Sequence, residues 1–273
     1  MLGRSLANRS GWRWPAIRSG VVAVFPWMLL GILVVASVSL FVRFFFFTDM
    51  FSVQQITIID AKPQTEAAVQ TAAEQAIARL PWRNNIFFLQ ADLLAAKLAS
   101  ELPQVKSVLV KRILPSTVKI SVQEKQPAML LLSRGSYYFV DDQGILFQKA
   151  DLLNLPGLVL PTVKNLSEET EATIGLPAVS SQFVNFVKIS SNNISEALEA
   201  EVVEIQMPSL AAREVYFMLS NNWEVKFDIT RDPKAQIDLL QRVVDEMLSE
   251  SEKQTLEYID LRIPRRVYYK TAT

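Results

Sequence analysis

The apolar pattern of the chain begins with an unbroken run. Residues 21–42, VVAVFPWMLLGILVVASVSLFV, carry no charged side chain. At about 1.5 Å per residue a helix of this length extends about 33 Å, against about 30 Å for a bilayer's hydrocarbon core. Pro26 falls in the first turn or two, where a proline disrupts least. Trp27 and the run Phe44–Phe47 suit the two interfaces, and Arg43 can snorkel to water. The pattern then becomes periodic. Residues 53–59 read as a short strand. Val69, Ala73, Ala76 and Leu80 recur at helical spacing until Pro81, and a second helix starts with Asp92 as N-cap, shows Leu94, Leu98 and Leu102 on one face, and stops at Pro103. Residues 105–112 and 117–124 follow as strands joined through Leu114-Pro115-Ser116. In the second strand Val118, Ile120 and Val122 face one way and Lys119, Ser121 and Gln123 the other. Strand–helix–helix–strand–strand predicts a three-stranded sheet covered on one side by two helices.

From residue 128 the pattern turns to β. Residues 128–133, 137–142 and 144–148 predict a meander that turns at Asp142-Gln143-Gly144. A stretch dotted with Pro and Gly follows at 156–162, and Ser180–Lys188 reads as a short helix with Phe183, Phe186 and Val187 on one side. Residues 201–207, 213–219 and 223–229 predict strands, the last two turning at Ser220-Asn221-Asn222. Asp232-Pro233 opens a helix, with Ile237, Leu240, Val244 and Met247 or Leu248 as its apolar face. Residues 256–263 and 266–270 are the last predicted strands, separated by Pro264, and the final one is expected at a sheet edge. Strand order in 150–200 is not readable from the pattern. The fold class is α+β: one N-terminal transmembrane helix, a β-α-α-β-β domain, then a mostly antiparallel β domain with one or two helices.

Charge sets the direction of the span. Residues 1–20 hold Arg4, Arg9, Arg13 and Arg18 and no acid, so this end is expected in the cytoplasm and everything after residue 48 outside it. A cleaved signal would have an apolar stretch of only about 7–15 residues. Cleavage after Ala36 or Ser39 would leave an N-terminus beginning in the phenylalanine run, so an uncleaved anchor is the expectation.

Composition narrows the chemistry. Lys+Arg and Asp+Glu both number 28, which argues against a nucleic-acid binder working by phosphate neutralisation. The chain holds no cysteine and no histidine, which removes thiolate nucleophiles, zinc-thiolate sites and the usual general base. Ser116-Thr117-Val118-Lys119 is an S-x-x-K, but it enters an alternating strand, where positions three apart face opposite sides. Asp141-Asp142 before Gln-Gly is turn chemistry, and Glu168, Glu169 and Glu171 form an acidic run without ligand spacing. Arg262, Arg265 and Arg266 cluster near the end, either as a charged edge strand or as a dock for an acidic partner. No enzyme, cofactor, metal or small-molecule substrate is indicated.

The segment 102–131, LPQVKSVLVKRILPSTVKISVQEKQPAMLL, carries a resemblance. Leu102, Pro103, Val105, Val108, Val110, Lys111, Arg112, Pro115, Val118, Ile120, Val122, Glu124 and Pro127 match the end of a POTRA domain as found in the FtsQ/DivIB family of bitopic cell-division proteins. YYFVDDQGILF (137–147) resembles the turn opening that family's second domain, and EYIDLR (257–262) its Tyr-Val-Asp-Leu-Arg strand. The resemblance implies a cytoplasmic tail at 1–20, a transmembrane helix at 21–47, a POTRA domain at 48–127 and a partner-binding β domain at 128–273. It implies a non-catalytic septal scaffold at the inner membrane, with FtsB/FtsL-like coiled-coil proteins and other division proteins as partners. The segment 266–270 would accept a partner strand. Arg213, Tyr258, Arg262, Ile263, Arg265, Arg266, Val267, Tyr268, Tyr269 and Lys270 would line that site, Arg262 meeting a partner carboxylate. A POTRA-bearing transport or assembly factor and a cell-wall-active enzyme are the alternatives.

Overall fold

The computed structural model describes residues 18–151, 159–167 and 172–272. Most of the expected tail 1–20, part of 156–162 and the acidic run Glu168, Glu169 and Glu171 lie outside the described residues. Helix α1 (Arg18–Phe47) contains Pro26, which lies beyond the first two turns because the helix starts three residues before the apolar run. Its stretch Phe25–Phe47, 23 residues, is long and apolar enough to cross a membrane, and its most apolar window holds no buried residue. Only Thr48 separates α1 from a 3-10 turn, Asp49–Phe51.

The first domain holds β1 (Gln55–Ile59), α2 (Pro63–Ile77), the short α3 (Pro81–Asn84), α4 (Ala91–Glu101), β2 (Val105–Ile113) and β3 (Thr117–Glu124). Its sheet order is β1-β3-β2, with β1 parallel and β2 antiparallel to β3. Val69, Ala73 and Ile77 of α2 and Leu94 and Leu98 of α4 bury against Val105, Val110, Val118, Ile120 and Val122. Val69, Ala73, Leu94 and Leu98 of the predicted stripes are the packed face, but Ile77 takes the buried place expected of Ala76, and Ala76, Leu80, Leu102 and Val108 are partly buried beside it. Pro81 does more than stop a helix: it occupies the first turn of α3. Asp92 is not the cap of α4. Gln90 holds that place with extended backbone and no side-chain hydrogen bond, and Asp92 lies in the first turn, where its charge favours the helix dipole. Lys111 and Arg112 stand exposed on β2, Pro115 is exposed in the turn between β2 and β3, and Pro127 is half-buried before the next strand. Glu124 ties β3 to the start of α2, accepting from the Lys62 backbone N–H at 2.9 Å and pairing with its Nζ at 3.3 Å.

The second domain contains β4 (Met129–Ser133), β5 (Ser136–Val140), β6 (Leu146–Ala150), β7 (Thr162–Asn165), α5 (Ser181–Leu198), β8 (Val202–Met207), β9 (Glu214–Leu219), β10 (Glu224–Asp228), α6 (Pro233–Arg242), α7 (Glu250–Thr255), β11 (Leu256–Asp260) and β12 (Tyr268–Thr271). A π-helical turn, Val243–Met247, follows α6. One nine-stranded sheet runs β12-β11-β10-β9-β8-β7-β4-β5-β6. Most pairings are antiparallel; β10–β11, β4–β7 and β7–β8 are parallel. One face buries Met129, Val163, Met207, Phe217 and Phe227 under Phe183, Phe186 and Ile194 of α5 and Ile237 and Leu240 of α6. Asp232 caps α6 by accepting the Ala235 N–H at 2.7 Å, as the Asp-Pro pair predicts. Leu248 joins the core, whereas Met247 is exposed.

Residues 125–128 connect the domains. The Lys125 N–H donates to Gln104 O and the Ala128 N–H to Val140 O. Lys125 Nζ pairs with the Asp141 carboxylate at 2.8 Å, and Asp141 Oδ1 also accepts the N–H groups of Gln143 and Ile145. The predicted turn is therefore also a lock between domains. Gly144, with φ +83°, lies so close to the next segment that a Cβ there would fall 2.1 Å from Val179 O.

Candidate functional site

The last predicted strand is displaced. β12 spans Tyr268–Thr271 instead of 266–270, and β11 ends at Asp260 instead of 263. A turn consumes the residues between: the Arg266 N–H donates to Ile263 O, Pro264 follows Ile263, and Arg265 adopts φ 63°. Ile263, Arg265 and Arg266 stand exposed on this turn, and Val267 packs partly against the core.

β12 is one end of the sheet, antiparallel to β11 in the register Tyr258↔Lys270, Ile259↔Tyr269 and Asp260↔Tyr268. The Ala272 N–H donates inward to Thr255 O at 2.7 Å. Backbone groups alternate in direction along a strand, so the N–H and C=O of Tyr269 and Thr271 project outward from the edge. Among the described residues no strand lies beyond them. Side chains alternate too. Tyr269 shares the helical face with Ile259, and its hydroxyl donates to Glu252 Oε1 of α7 at 3.3 Å. Tyr268 and Lys270 share the opposite, open face with Asp260 and Tyr258, and Lys270 pairs with Glu257. α7 is fixed beside the edge by a capping box between Ser249 and Glu252, and by Trp223 Nε1 donating to Lys253 O at 3.2 Å.

The open face beside the edge is polar and ordered. Lys226 of β10 pairs with Glu224 at 3.2 Å and sits over the Tyr258 and Tyr216 rings at 4.5 and 5.2 Å. Tyr258 is thus half-buried one strand in from the edge. Arg262 reaches past β10: it forks onto Asp260, with Nη2 to Oδ2 at 2.6 Å, and pairs with Glu214 at the start of β9. Its carboxylate partners are internal. Burial pushes the Asp260 carboxyl up, but the hydrogen bonds and charge of Arg262 outweigh this and hold it below its ordinary 3.8. The Asp260 hydrogen bonds, with Glu214, keep Arg262 protonated far beyond any accessible pH. Burial, then the bond to Glu214, pushes the Tyr216 phenol up to about 12. Arg213 is exposed just before β9, and its carbonyl receives the Ile229 N–H.

The structure therefore brings Tyr258, Arg262, Tyr268, Tyr269 and Lys270 together at one sheet end. The supporting residues Glu214, Tyr216, Glu224, Lys226 and Asp260 are absent from the sequence-based set. A signal exists for part of this: the turn 220–222 with strict alternation sets Tyr216 opposite Lys226. Ser116 of the S-x-x-K sits at a turn, with Lys119 on the strand that follows, so the pair does not share a helix face.

The FtsQ-type POTRA domain profile matches residues 51–125. The profile of the C-terminal part of the cell division protein FtsQ/DivIB matches residues 129–262. The cell division protein DivIB of Clostridium acetobutylicum is 26% identical over 140 residues, covering 49% of this chain and 53% of that protein. The cell division protein FtsQ of Corynebacterium glutamicum is 27% identical over 142 residues, 50% of this chain and 60% of that protein. FtsQ of Anaeromyxobacter sp. is 33% identical over 89 residues, 33% of this chain and 29% of the relative. The chain thus matches little more than half the length of the first two relatives.

Proposed function

The chain belongs to the FtsQ/DivIB family of cell-division proteins, and from that premise we propose that it is a non-catalytic scaffold of the division septum. In this reading α1 anchors it in the inner membrane with its arginine-rich first residues in the cytoplasm, and both folded domains lie outside. The partners are bitopic coiled-coil proteins of the FtsB/FtsL kind, a segment of which adds a strand along β12. Through them the scaffold supports recruitment and control of septal peptidoglycan synthesis.

The observation that carries the reading is the outward-facing backbone of Tyr269 and Thr271 at an uncovered sheet end. Main-chain hydrogen bonds would supply affinity there. Tyr268 on one face and Tyr269 on the other offer aromatic area to flanking partner side chains, and Arg265 and Arg266 offer charge to an acidic segment. Arg262 acts indirectly in this arrangement, by fixing β11 against β9.

Tyr269→Pro removes the outward N–H while leaving the inward N–H groups of Lys270 and Ala272 in place. Co-purification of the full chain with an FtsB/FtsL-like pair should fall at least tenfold, with unchanged circular dichroism. Undiminished capture by the folded variant would refute strand addition at this edge. A fluorescent fusion should form a midcell band; an even envelope signal would favour transport or assembly instead.

A further inference from the structure

The first domain packs beside the last turns of α1, not beyond them. Asn85, only 2% exposed, donates from Nδ2 to the Phe45 carbonyl at 2.8 Å, while its Oδ1 accepts the Phe87 N–H at 2.9 Å. The Phe45 ring stacks on Phe51 with centroids 5.1 Å apart and planes 7° apart. The Phe87 ring lies 5.2 Å from Phe51 and 6.1 Å from Phe45, and Phe46 packs on Phe88 at 5.7 Å. The Val53 N–H donates to Asn84 O, joining the 84–88 segment to the chain just after the 3-10 turn.

These contacts fix a depth. Phe45 precedes the end of α1 by two residues, about 3 Å along the axis. The polar layer on each side of a bilayer is about 5–8 Å thick. A segment packed laterally on Phe45 must occupy the same layer. The assembly exposes large apolar groups beside the charged Asp49: Met50 is 52% and Phe87 40% exposed, and Phe44, which packs on the same Phe51 ring as Phe87, is exposed on α1. Exposed apolar and aromatic groups at that depth are stabilised by the boundary between glycerol and acyl chains.

The geometry points to a second membrane contact: the turn Asp49–Phe51 and the segment Asn84–Phe88 seat the first domain on the outer bilayer interface, with Met50 and Phe87 immersed in it. This rests on the reading that α1 crosses the membrane, and the test separates the two. The sequence holds no cysteine, so single substitutions Val35→Cys, Met50→Cys, Phe87→Cys and Leu109→Cys can each carry a nitroxide in the full chain. In phosphatidylcholine/phosphatidylglycerol proteoliposomes, power saturation compares accessibility to oxygen and to an aqueous nickel chelate. Position 35 reports the span, and position 109, exposed on the solvent-facing side of β2, reports water. The oxygen-to-nickel ratio at 50 and 87 should exceed that at 109 several-fold and approach that at 35. Ratios at 50 and 87 equal to that at 109, with 35 in lipid, would overturn the seating alone; an aqueous 35 would overturn the span and the seating together. Met50 lies outside the ring contacts, so its label reads the depth even where Phe87→Cys disturbs the fold.

Discussion

Arg262 joins Glu214 across an intervening strand. The guanidinium leaves the end of β11, grips Asp260 on its own chain segment, and reaches past β10 to the first residue of β9. One side chain thereby ties the end of β11 to β9 across β10.

Arg262→Ala should lower stability by about 1–2 kcal/mol, since it strands a buried Asp260 and a half-buried Glu214. The effect is less than for a fully buried pair because the cluster is partly exposed to solvent screening. Arg262→Lys keeps the charge without the fork and should recover only part of the loss. Thermal unfolding of the full chain in detergent checks both. An unchanged melting temperature for Arg262→Ala would mean that the arginine contributes only by contacting a partner.

Acid should weaken the fold through two carboxylates. Partial burial pushes Glu124 up, but the Lys62 N–H, the Thr65 hydroxyl and the Lys62 ammonium outweigh it and hold Glu124 below its ordinary 4.5, as Arg262 holds Asp260 below 3.8. A carboxyl with a lowered pKa binds protons more readily in the unfolded chain. Its stabilisation is therefore complete above the ordinary value and is lost as pH falls through the folded value. Urea midpoints should hold steady from neutral pH down to about pH 5 and then drop. Glu124→Gln should flatten that acid limb.

Gly144→Ala should cost about 3 kcal/mol or more, combining a left-handed backbone position with a Cβ driven into the Val179 carbonyl. Expression level and denaturant midpoint report it. Gly135 also has positive φ, at 72°, but is surrounded by open space, so Gly135→Ala should cost only about 1 kcal/mol.

Lys125→Met leaves Asp141 with its two backbone donors and removes the ion pair between domains. The expected loss is about 1–3 kcal/mol, and the larger effect should be orientational. Distances between nitroxides at Leu109→Cys and Val203→Cys, measured by pulsed dipolar spectroscopy, should broaden relative to the parent pair. An unaltered distribution would show that the remaining contacts alone fix the angle.

Local periodicity made much of the fold legible. Val69, Ala73, Leu94 and Leu98 announce their helices because one stripe of each must be buried, and Val118, Ile120 and Val122 announce a strand by alternation. β7 escaped because Thr162–Asn165 is a four-residue strand with alternating polar positions, recognisable only by its parallel neighbours β4 and β8. Helix α5 runs ten residues past the expected Lys188, through Ser190, Ser191, Asn192 and Asn193. Weak helix formers there are overridden by burial of Ile194 and packing against α6. At the site, Tyr268 and Tyr269 were legible as a terminal strand, whereas the internal partners of Arg262 were not. Glu214 lies 48 residues away, and only the sheet order brings it near. Phe45 read only as one ring of the interfacial run Phe44–Phe47, since nothing in a run of phenylalanines shows which one meets Asn85.

The two short junctions have a geometrical consequence. Thr48 alone links α1 to the first domain, and residues 125–128 are pinned at both ends before the nine-stranded sheet begins. No slack is left along the route, so the altitude of Tyr269 over the bilayer is a gauge written into the fold. Under the proposed scaffold reading, a companion rising from the same membrane has to bring its own segment to that level. Lengthening the connection at Pro127 with glycine and serine would leave capture in detergent intact and spoil it only where both molecules share one membrane.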